Sequence, residues 1–545
     1  MNLLDRVRDW LAQDPDAETR AELEAIIAAV AAGDAVATAD LATRFSGRLE
    51  FGTAGLRAEL GAGPMRMNRV VVAQTAAGLA SYLREREEHP SIVIGYDGRK
   101  NSDVFARDTA EIMAGAGIAA ILLPRKLPTP VLAYAVRHFG TSAGVMVTAS
   151  HNPPRDNGYK VYLGGADEGA QIVSPADAEI AAQIEMAAQS PIGKLLRSGD
   201  YAVADDAVID AYIEATAAIV EPIEQDAALR VVYTPMHGVG LETLTRVFRT
   251  AGLPEPIVVT AQAEPDGAFP TVAFPNPEEP GALDLAYATA TEHDADLIIA
   301  NDPDADRLAV AIPEDGGWRR LSGNEVGTIL GWAAADAADV RAGGKGGVLA
   351  ASLVSSPALG RIAEHFGLEH AETLTGFKWI SRTPGLIYGY EEALGYLVDP
   401  AKVRDKDGIS AAARFVDLAR RWRADGRTVS DVMAEITAII GPSASGQVSI
   451  RVTDLGEIGR LTAGLRATPP SEIAGRAVAE VTDYAEGIGA FPPSDILRYT
   501  LADGSRIIVR PSGTEPKLKV YLDAASDAAV AELDAGVRAL LTAIS

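Results

Sequence analysis

IVIGYDGRKNSDVFARDTAEIMAGAGIAAILL (Ile92–Leu123) is the stretch that decides the fold class. Its two ends, IVIGYD and IAAILL, are short apolar runs that read as strands, and the Ala-rich segment from Asn101 to Gly117 reads as a helix opened by Asn101 or Ser102. Strand, helix and strand in that order form a βαβ unit, which requires a parallel or mixed sheet with helices on its faces. The alternation returns at VVYTPM (Val231–Met236), a helix over Leu241–Ala251 and IVVT (Ile257–Thr260), and again at GVLAASL (Gly347–Leu353) with a helix over Pro357–Phe366.

Outward from these blocks the pattern changes at both ends. Leu23, Ile26, Ile27 and Val30 follow the spacing of one helix face, Gly33 and Asp34 end that helix, and Leu41 and Phe45 lie one turn apart on a second. The last hundred residues read as α+β: QVSIRV (Gln447–Val452), a helix near Glu457–Leu465, RIIVR (Arg506–Arg510), KLKVYL (Lys517–Leu522) and a terminal helix from Ser526. Clusters of Gly, Pro, Ser and Asp mark boundaries near 191–206, 315–322 and 441–446. The expected domains are 1–200, 201–318, 319–443 and 444–545: three similar α/β domains with mixed sheets, then an α+β domain.

The chain has 545 residues, 49 Lys+Arg against 75 Asp+Glu and a formal net charge of −26. Nucleic-acid binding and membrane-surface binding both need a basic face, and no Lys/Arg block is long enough to supply one. There is no cysteine, which removes disulfides, Cys-ligated zinc and thiol catalysis and leaves oxygen chemistry. The N-terminal residues do not read as a secretory signal and no segment reads as a membrane span, so a cytoplasmic location is expected.

Three segments carry chemistry. VMVTASHNPPRDNGYKVY (Val145–Tyr162) runs from an apolar strand into a turn and leaves Ser150 at the strand's end, where α/β sheets place ligands. A serine there can accept a phosphoryl group, or it can simply satisfy turn backbone. LIIANDPDADRLAV (Leu297–Val310) sets Asp302, Asp304 and Asp306 at alternate positions between two apolar strands. Such carboxylates repel unless a cation binds them, and oxygen-only ligands favour Mg²⁺, Mn²⁺ or Ca²⁺; the alternative is a solvated acidic turn. An EF-hand is excluded, because Arg307 and Pro313 stand where its glycine and glutamate belong. IIVRPSGTEPKLKVY (Ile507–Tyr521) joins two strands through Arg510, Ser512, Gly513, Thr514 and Lys517, a phosphate cradle or a hairpin with incidental charge.

Weaker signals accompany these. FGTAGLR (Phe51–Arg57) and LTGFKWI (Leu374–Ile380) each place one cation, Arg57 or Lys378, near glycine, where a solvated surface cation is the competing reading. GYEEALGY (Gly389–Tyr396) offers Glu391 and Glu392 as acceptors for sugar hydroxyls or as an exposed charge pair.

Taken together and in this order, GTAGLR, TASHNPPRDNGYK, DPDADR, TGFKW, EEALGY and RPSGTEPK resemble the α-D-phosphohexomutase superfamily over nearly the whole chain. YTPMHGVG (Tyr233–Gly240), FPNPEE (Phe274–Glu279) and RDKDGISAA (Arg404–Ala412) resemble the branch with phosphoglucomutases, phosphopentomutases and many bacterial phosphomannomutases.

The resemblance implies four domains around a central cleft. It implies that Ser150 carries the phosphoryl group and that Asp302, Asp304 and Asp306 hold one Mg²⁺ together with a seryl phosphate oxygen. It places Arg57, Lys160 and Arg307 around the transferring phosphoryl and Lys378 where a proton is transferred. His151, Glu391, Glu392, Arg510, Ser512, Gly513, Thr514 and Lys517 would bind substrate, the last five at the non-transferring phosphate. The implied reaction interconverts sugar 1-phosphate and 6-phosphate (glucose, mannose or both) through a sugar bisphosphate that also serves as activator. Ala393 stands where many hexose-active relatives carry serine, which leaves a ribose 1-/5-phosphate mutase open; a phosphoserine-dependent sugar phosphatase is the other alternative. The expected partner is a small phosphosugar, with no nucleic acid or membrane, on a monomer or small homo-oligomer.

Overall fold

The computed structural model describes residues 2–52, 55–223, 228–342, 346–452, 455–489, 491–511 and 517–544. Two compact units divide the chain: Met1–Leu321 with Gly395–Gly426, and Ser322–Leu394 with Arg427–Ser545. The segment Gly395–Gly426 therefore groups with residues far upstream in sequence.

The first unit contains two mixed sheets. In one, Leu56–Glu59, Asp156–Leu163, Ala143–Val147, Ser91–Tyr96, Ala119–Leu122 and Ala202–Val203 lie in that order, with Ala170–Gln171 paired to Asp156–Leu163. The pair Ser91–Tyr96 and Ala119–Leu122 is parallel and flanks the helix Ser102–Gly115, the βαβ unit read from sequence. Asn101 does not cap this helix with its side chain; it takes the left-handed conformation, and the Ser102 hydroxyl donates to Asp97 at 2.7 Å. Ile92, Ile94, Val145 and Val147 are fully buried, as expected for strands covered on both faces. Helices Leu3–Gln13, Ala17–Ala31 and Ala35–Arg44 join the same core through Val7, Leu23 and Leu41.

The other sheet of this unit runs Gly317–Arg320, Ala309–Glu314, Leu297–Ala300, Val231–Thr234, Ile257–Val258. Its last strand is shorter than IVVT suggests, because the chain turns into the 3₁₀ segment Thr260–Gln262.

The second unit has a sheet with the strands Glu369–Thr373, Val348–Ser352 and Leu386–Glu391 in that order. Its other sheet has six strands paired antiparallel throughout, Ala444–Arg451, Lys517–Ala524, Arg506–Pro511, Leu497–Leu501, Arg476–Asp483 and Glu472–Ile473, and is covered by Leu455–Ala467 and Asp527–Ile544. That is the α+β end expected from sequence. Among the described residues no helix is long and apolar enough to cross a membrane.

Candidate active site

Strand Ala143–Val147 ends three residues before Ser150, whose φ of +51° puts it in the left-handed region. The turn is stabilised locally by the Ser150 N–H, which donates to Thr148 Oγ1 at 2.8 Å. The returning strand Asp156–Leu163 pairs antiparallel with it, and at Gly158 a Cβ would stand 2.5 Å from the Thr148 carbonyl oxygen and 2.8 Å from that of Leu56. Only glycine lets three strands close here, and the closure carries Lys160 to the site.

The acidic loop leaves strand Leu297–Ala300, folds back through an Ala305 N–H to Asp302 carbonyl bond of 2.8 Å, and re-enters the sheet at Ala309–Glu314. Asp302, Asp304 and Asp306 are 0, 0 and 1% exposed, so the solvated acidic turn is overturned. They offer one oxygen each within 4.8 Å of one another. Ser150 Oγ donates to Asp302 Oδ2 at 2.7 Å and lies 3.0 Å from His151 Nδ1, so this hydroxyl gives its proton to a loop 152 residues away rather than to the backbone of its own turn.

Cations close the cluster. Lys160 Nζ donates to Asp304 Oδ2 at 2.8 Å and Asp306 Oδ2 at 2.9 Å, and Lys406 Nζ lies 3.4 Å from Asp306 Oδ2. The Arg307 backbone N–H donates to Asp302 Oδ1 at 3.1 Å while its guanidinium Nε lies 4.0 Å from Asp306 Oδ1, and Arg57, only partly exposed, donates from Nη1 to Asn152 Oδ1 at 3.0 Å.

The electrostatics follow from burial and neighbours. Burial, then repulsion from Asp304 and Asp306, pushes the Asp302 carboxyl well above its usual range. Burial also opposes ionisation of Asp306, but Lys160, Lys406 and Arg307 outweigh it and hold that group well below its usual range. Asp304 moves the same way, with Lys160 offsetting burial and the Asp306 charge. His151 is held neutral by burial and by the nearby Arg307 and Arg57 cations.

Even so, Asp304 Oδ1 and Asp306 Oδ1 are buried with no hydrogen-bond partner. Unsatisfied carboxylate oxygens in a dry site are expensive, and a hard divalent cation is what satisfies two of them beside Asp302. The residues present fit such an ion.

Two participants had not been assigned from sequence. Thr129 Oγ1 donates to Asp304 Oδ2 at 2.7 Å, and nothing in the sequence around Thr129 signals it. Lys406 lies in RDKDGISAA, which carries the family resemblance but no residue role. Its approach depends on Gly408, where a Cβ would stand 2.2 Å from the Arg307 carbonyl oxygen.

The second unit holds the remaining sequence-assigned residues. Lys378 lies in the short helix Phe377–Ile380, partly exposed, with Nζ 5.5 Å from the Trp379 ring centroid. Glu391 ends strand Leu386–Glu391 and is 8% exposed, and Glu392 accepts hydrogen bonds from Ser352 Oγ and Ser355 Oγ at 3.1 Å each, so the pair is not a freely exposed one. Arg510 and Lys517 sit at the facing ends of Arg506–Pro511 and Lys517–Ala524, and Arg510 lines a pocket of about 230 Å³ with Thr375 and Ser494. Ser512, Gly513 and Thr514 lie outside the described residues, as do Thr53 and Ala54 of the first motif.

Four family descriptions match the chain in order. They are phosphoglucomutase/phosphomannomutase alpha/beta/alpha domain I over 48–190, domain II over 210–316, domain III over 322–439 and the C-terminal domain over 459–540. A probable phosphomannomutase of Haemophilus influenzae is 59% identical over 88% of this chain and 98% of its own length. A probable phosphoribomutase of Schizosaccharomyces pombe is 35% identical over 95% of this chain and 93% of its own. Among solved structures, a putative phosphomannomutase from Thermus thermophilus superposes with a TM-score of 0.71 at 24% identity, covering 91% of this chain and 99% of that one, a likeness of fold.

Proposed function

The chain belongs to the phosphoglucomutase/phosphomannomutase family of mutases, and from that premise we propose that it interconverts hexose 1- and 6-phosphates by way of a phosphorylated Ser150. The observation that carries the reading is the Ser150 hydroxyl, 2.7 Å from Asp302 in a cluster with two carboxylate oxygens that lack hydrogen-bond partners.

In this reading phosphorylated Ser150 gives its phosphoryl group to a hydroxyl of the bound sugar monophosphate. The resulting bisphosphate turns over and returns its other phosphoryl group to Ser150. The protein's part is positioning and charge stabilisation, which is most of what phosphoryl transfer asks of an enzyme. Asp302, Asp304 and Asp306 would hold Mg²⁺ with a seryl phosphate oxygen, and when bound the ion offsets negative charge on the transferring group. Lys160 keeps Asp304 and Asp306 ionised, and Arg57 and Arg307 supply cations on the Ser150 side. Lys378 is the proton-transfer candidate, Glu391 and Glu392 face sugar hydroxyls, His151 joins the substrate contacts, and Arg510, Ser512, Gly513, Thr514 and Lys517 hold the idle phosphate.

One observation favours a second reading. Ala393 places no hydroxyl after the paired acids, which fits a pentose phosphate, as does the name of the yeast relative.

The test incubates the protein with glucose, mannose or ribose 1-phosphate, Mg²⁺ and a trace of the matching 1,6- or 1,5-bisphosphate, with Ser150→Ala as control. Isomerised hexose phosphate that Ser150→Ala does not form is expected. Ribose 5-phosphate as the dominant product moves the assignment to a pentomutase, and free phosphate as the product replaces the mutase with a phosphatase.

A further inference from the structure

The loop that carries Ser150 is gripped from behind by a residue of the opening Ile92–Leu123 stretch to which no role has been assigned above. Arg99 follows strand Ser91–Tyr96, and its side chain is 0% exposed. Its Nη1 donates to the carbonyl oxygens of Pro153 at 2.8 Å and Asp156 at 3.0 Å. Its Nη2 donates to those of Ser150 and Asn152, each at 2.6 Å. Four carbonyl dipoles thus converge on one guanidinium, a task that suits a planar fork and not a point charge.

The guanidinium is itself fixed. Asp97 Oδ2 lies 3.7 Å from Arg99 Nε, and the other Asp97 oxygen is tied by the Ser102 hydroxyl and the Arg99 N–H. Phe269 presents its ring 5.0 Å from the guanidinium carbon.

What the grip holds is a strained backbone. A non-glycine residue in the left-handed region costs about 1–3 kcal/mol and persists only where surrounding contacts over-determine it. At Ser150 those contacts are Thr148 Oγ1 on its N–H and Arg99 Nη2 on its carbonyl. A rotation of this peptide would swing Oγ away from Asp302.

We propose that Arg99 is a positioning residue for phosphoryl transfer: by binding the carbonyls of Ser150, Asn152, Pro153 and Asp156 it fixes the left-handed Ser150 and aims its Oγ at the aspartate cluster. The inference rests on the reading of Ser150 as the phosphoryl carrier. It assigns Arg99 no contact with substrate, so its loss reduces turnover and leaves substrate affinity in place.

The test compares wild type, Arg99→Lys and Arg99→Ala in the isomerase assay. Arg99→Lys keeps the charge and loses the fork; a misplacement of the order of 1 Å lowers kcat by about 100-fold, with KM within about 2-fold. Arg99→Ala loses at least as much. Because Arg99 also borders a cavity of about 890 Å³ lined by Asn68, Lys100 and Asp266, guanidinium at tens of millimolar has a way into the vacated space. It is expected to restore part of the Arg99→Ala rate where equal NaCl does not. Wild-type kcat in Arg99→Lys, or a loss confined to KM, overturns the proposal. Should Arg99→Ala fail to fold, Asp97→Asn, which leaves the guanidinium but removes its paired charge, decides it: lower kcat at constant KM supports the grip and an unchanged kcat refutes it. A wild type inactive on every sugar phosphate sinks the mutase reading, and this inference with it; an active wild type with an equally active Arg99→Lys sinks this inference alone.

Discussion

In the unit that carries Ser150, three buried aspartates meet Lys160 and Lys406 and still leave Asp304 Oδ1 and Asp306 Oδ1 without hydrogen-bond partners. In the other unit, buried Arg506 meets Asp523, Glu372 and the Ser355 carbonyl, and every nitrogen of its guanidinium is bonded. Asp523 takes a further bond from Ser445 Oγ at 2.7 Å, and Glu372 one from Arg498 at 3.0 Å. The residues are of the same kinds, but the Arg506 guanidinium is saturated and the aspartate cluster is not. Saturated buried charge fixes an arrangement of strands, whereas unsaturated buried charge keeps coordination capacity for something else.

The contrast breaks most visibly at Asp306. Asp306→Asn removes a charge from the unsaturated cluster and is expected to lower turnover by at least about 100-fold and weaken Mg²⁺ binding, with an unchanged far-UV circular dichroism spectrum. Chelation should inactivate wild type reversibly; full activity after exhaustive chelation would contradict the metal reading. Arg506→Met is expected to act on stability, costing about 3–5 kcal/mol because Asp523 is left buried and unpaired, seen by calorimetry as a lower-melting transition. Adding Asp523→Leu should recover much of that loss, since an apolar pair can replace a saturated ion pair. No apolar replacement in the aspartate cluster should recover activity.

The smallest effect concerns pH. Burial raises the Asp523 carboxyl above its ordinary 3.8, against the pull of Arg506 and the Ser445 bond. A raised folded-state value means the folded protein holds the proton longer than the unfolded chain, so this contribution is fully present below 3.8 and is lost as pH rises through the folded value. The melting temperature of wild type minus that of Asp523→Asn should therefore decline as pH climbs from about 4; a flat or rising difference would contradict the assignment.

Local information was the most legible in the sequence. The βαβ unit of Ile92–Leu123 and the acidic loop between two strands depend on residues near in sequence, and both appear as read. Thr129 and Lys406 were not legible as participants, because each meets the aspartates across 175 and 100 residues of chain with no periodic signal to mark it. The packing of Gly395–Gly426 with the first unit was invisible for the same reason: its strand and helix are ordinary, and contacts distant in sequence, such as Tyr212 Oη to Asp407, Lys402 Nζ to Thr216 and the bare Cα of Gly408 against Arg307, reveal where it belongs. Arg506 sat in a quoted strand, RIIVR, but its guanidinium partners come from three other segments.

The late return of Gly395–Gly426 has a consequence for synthesis on the ribosome. Asp302, Asp304 and Asp306 emerge with Lys160 already available, but Lys406 and the buried helix Gly408–Ala424 come only after the whole of 322–394. At 5–20 residues per second that interval is roughly 4–15 s, long compared with the folding time of most single domains. During it the aspartate cluster lacks one of its cations and the backbone that closes over Arg307, so the first unit cannot complete its packing until residue 426 is made.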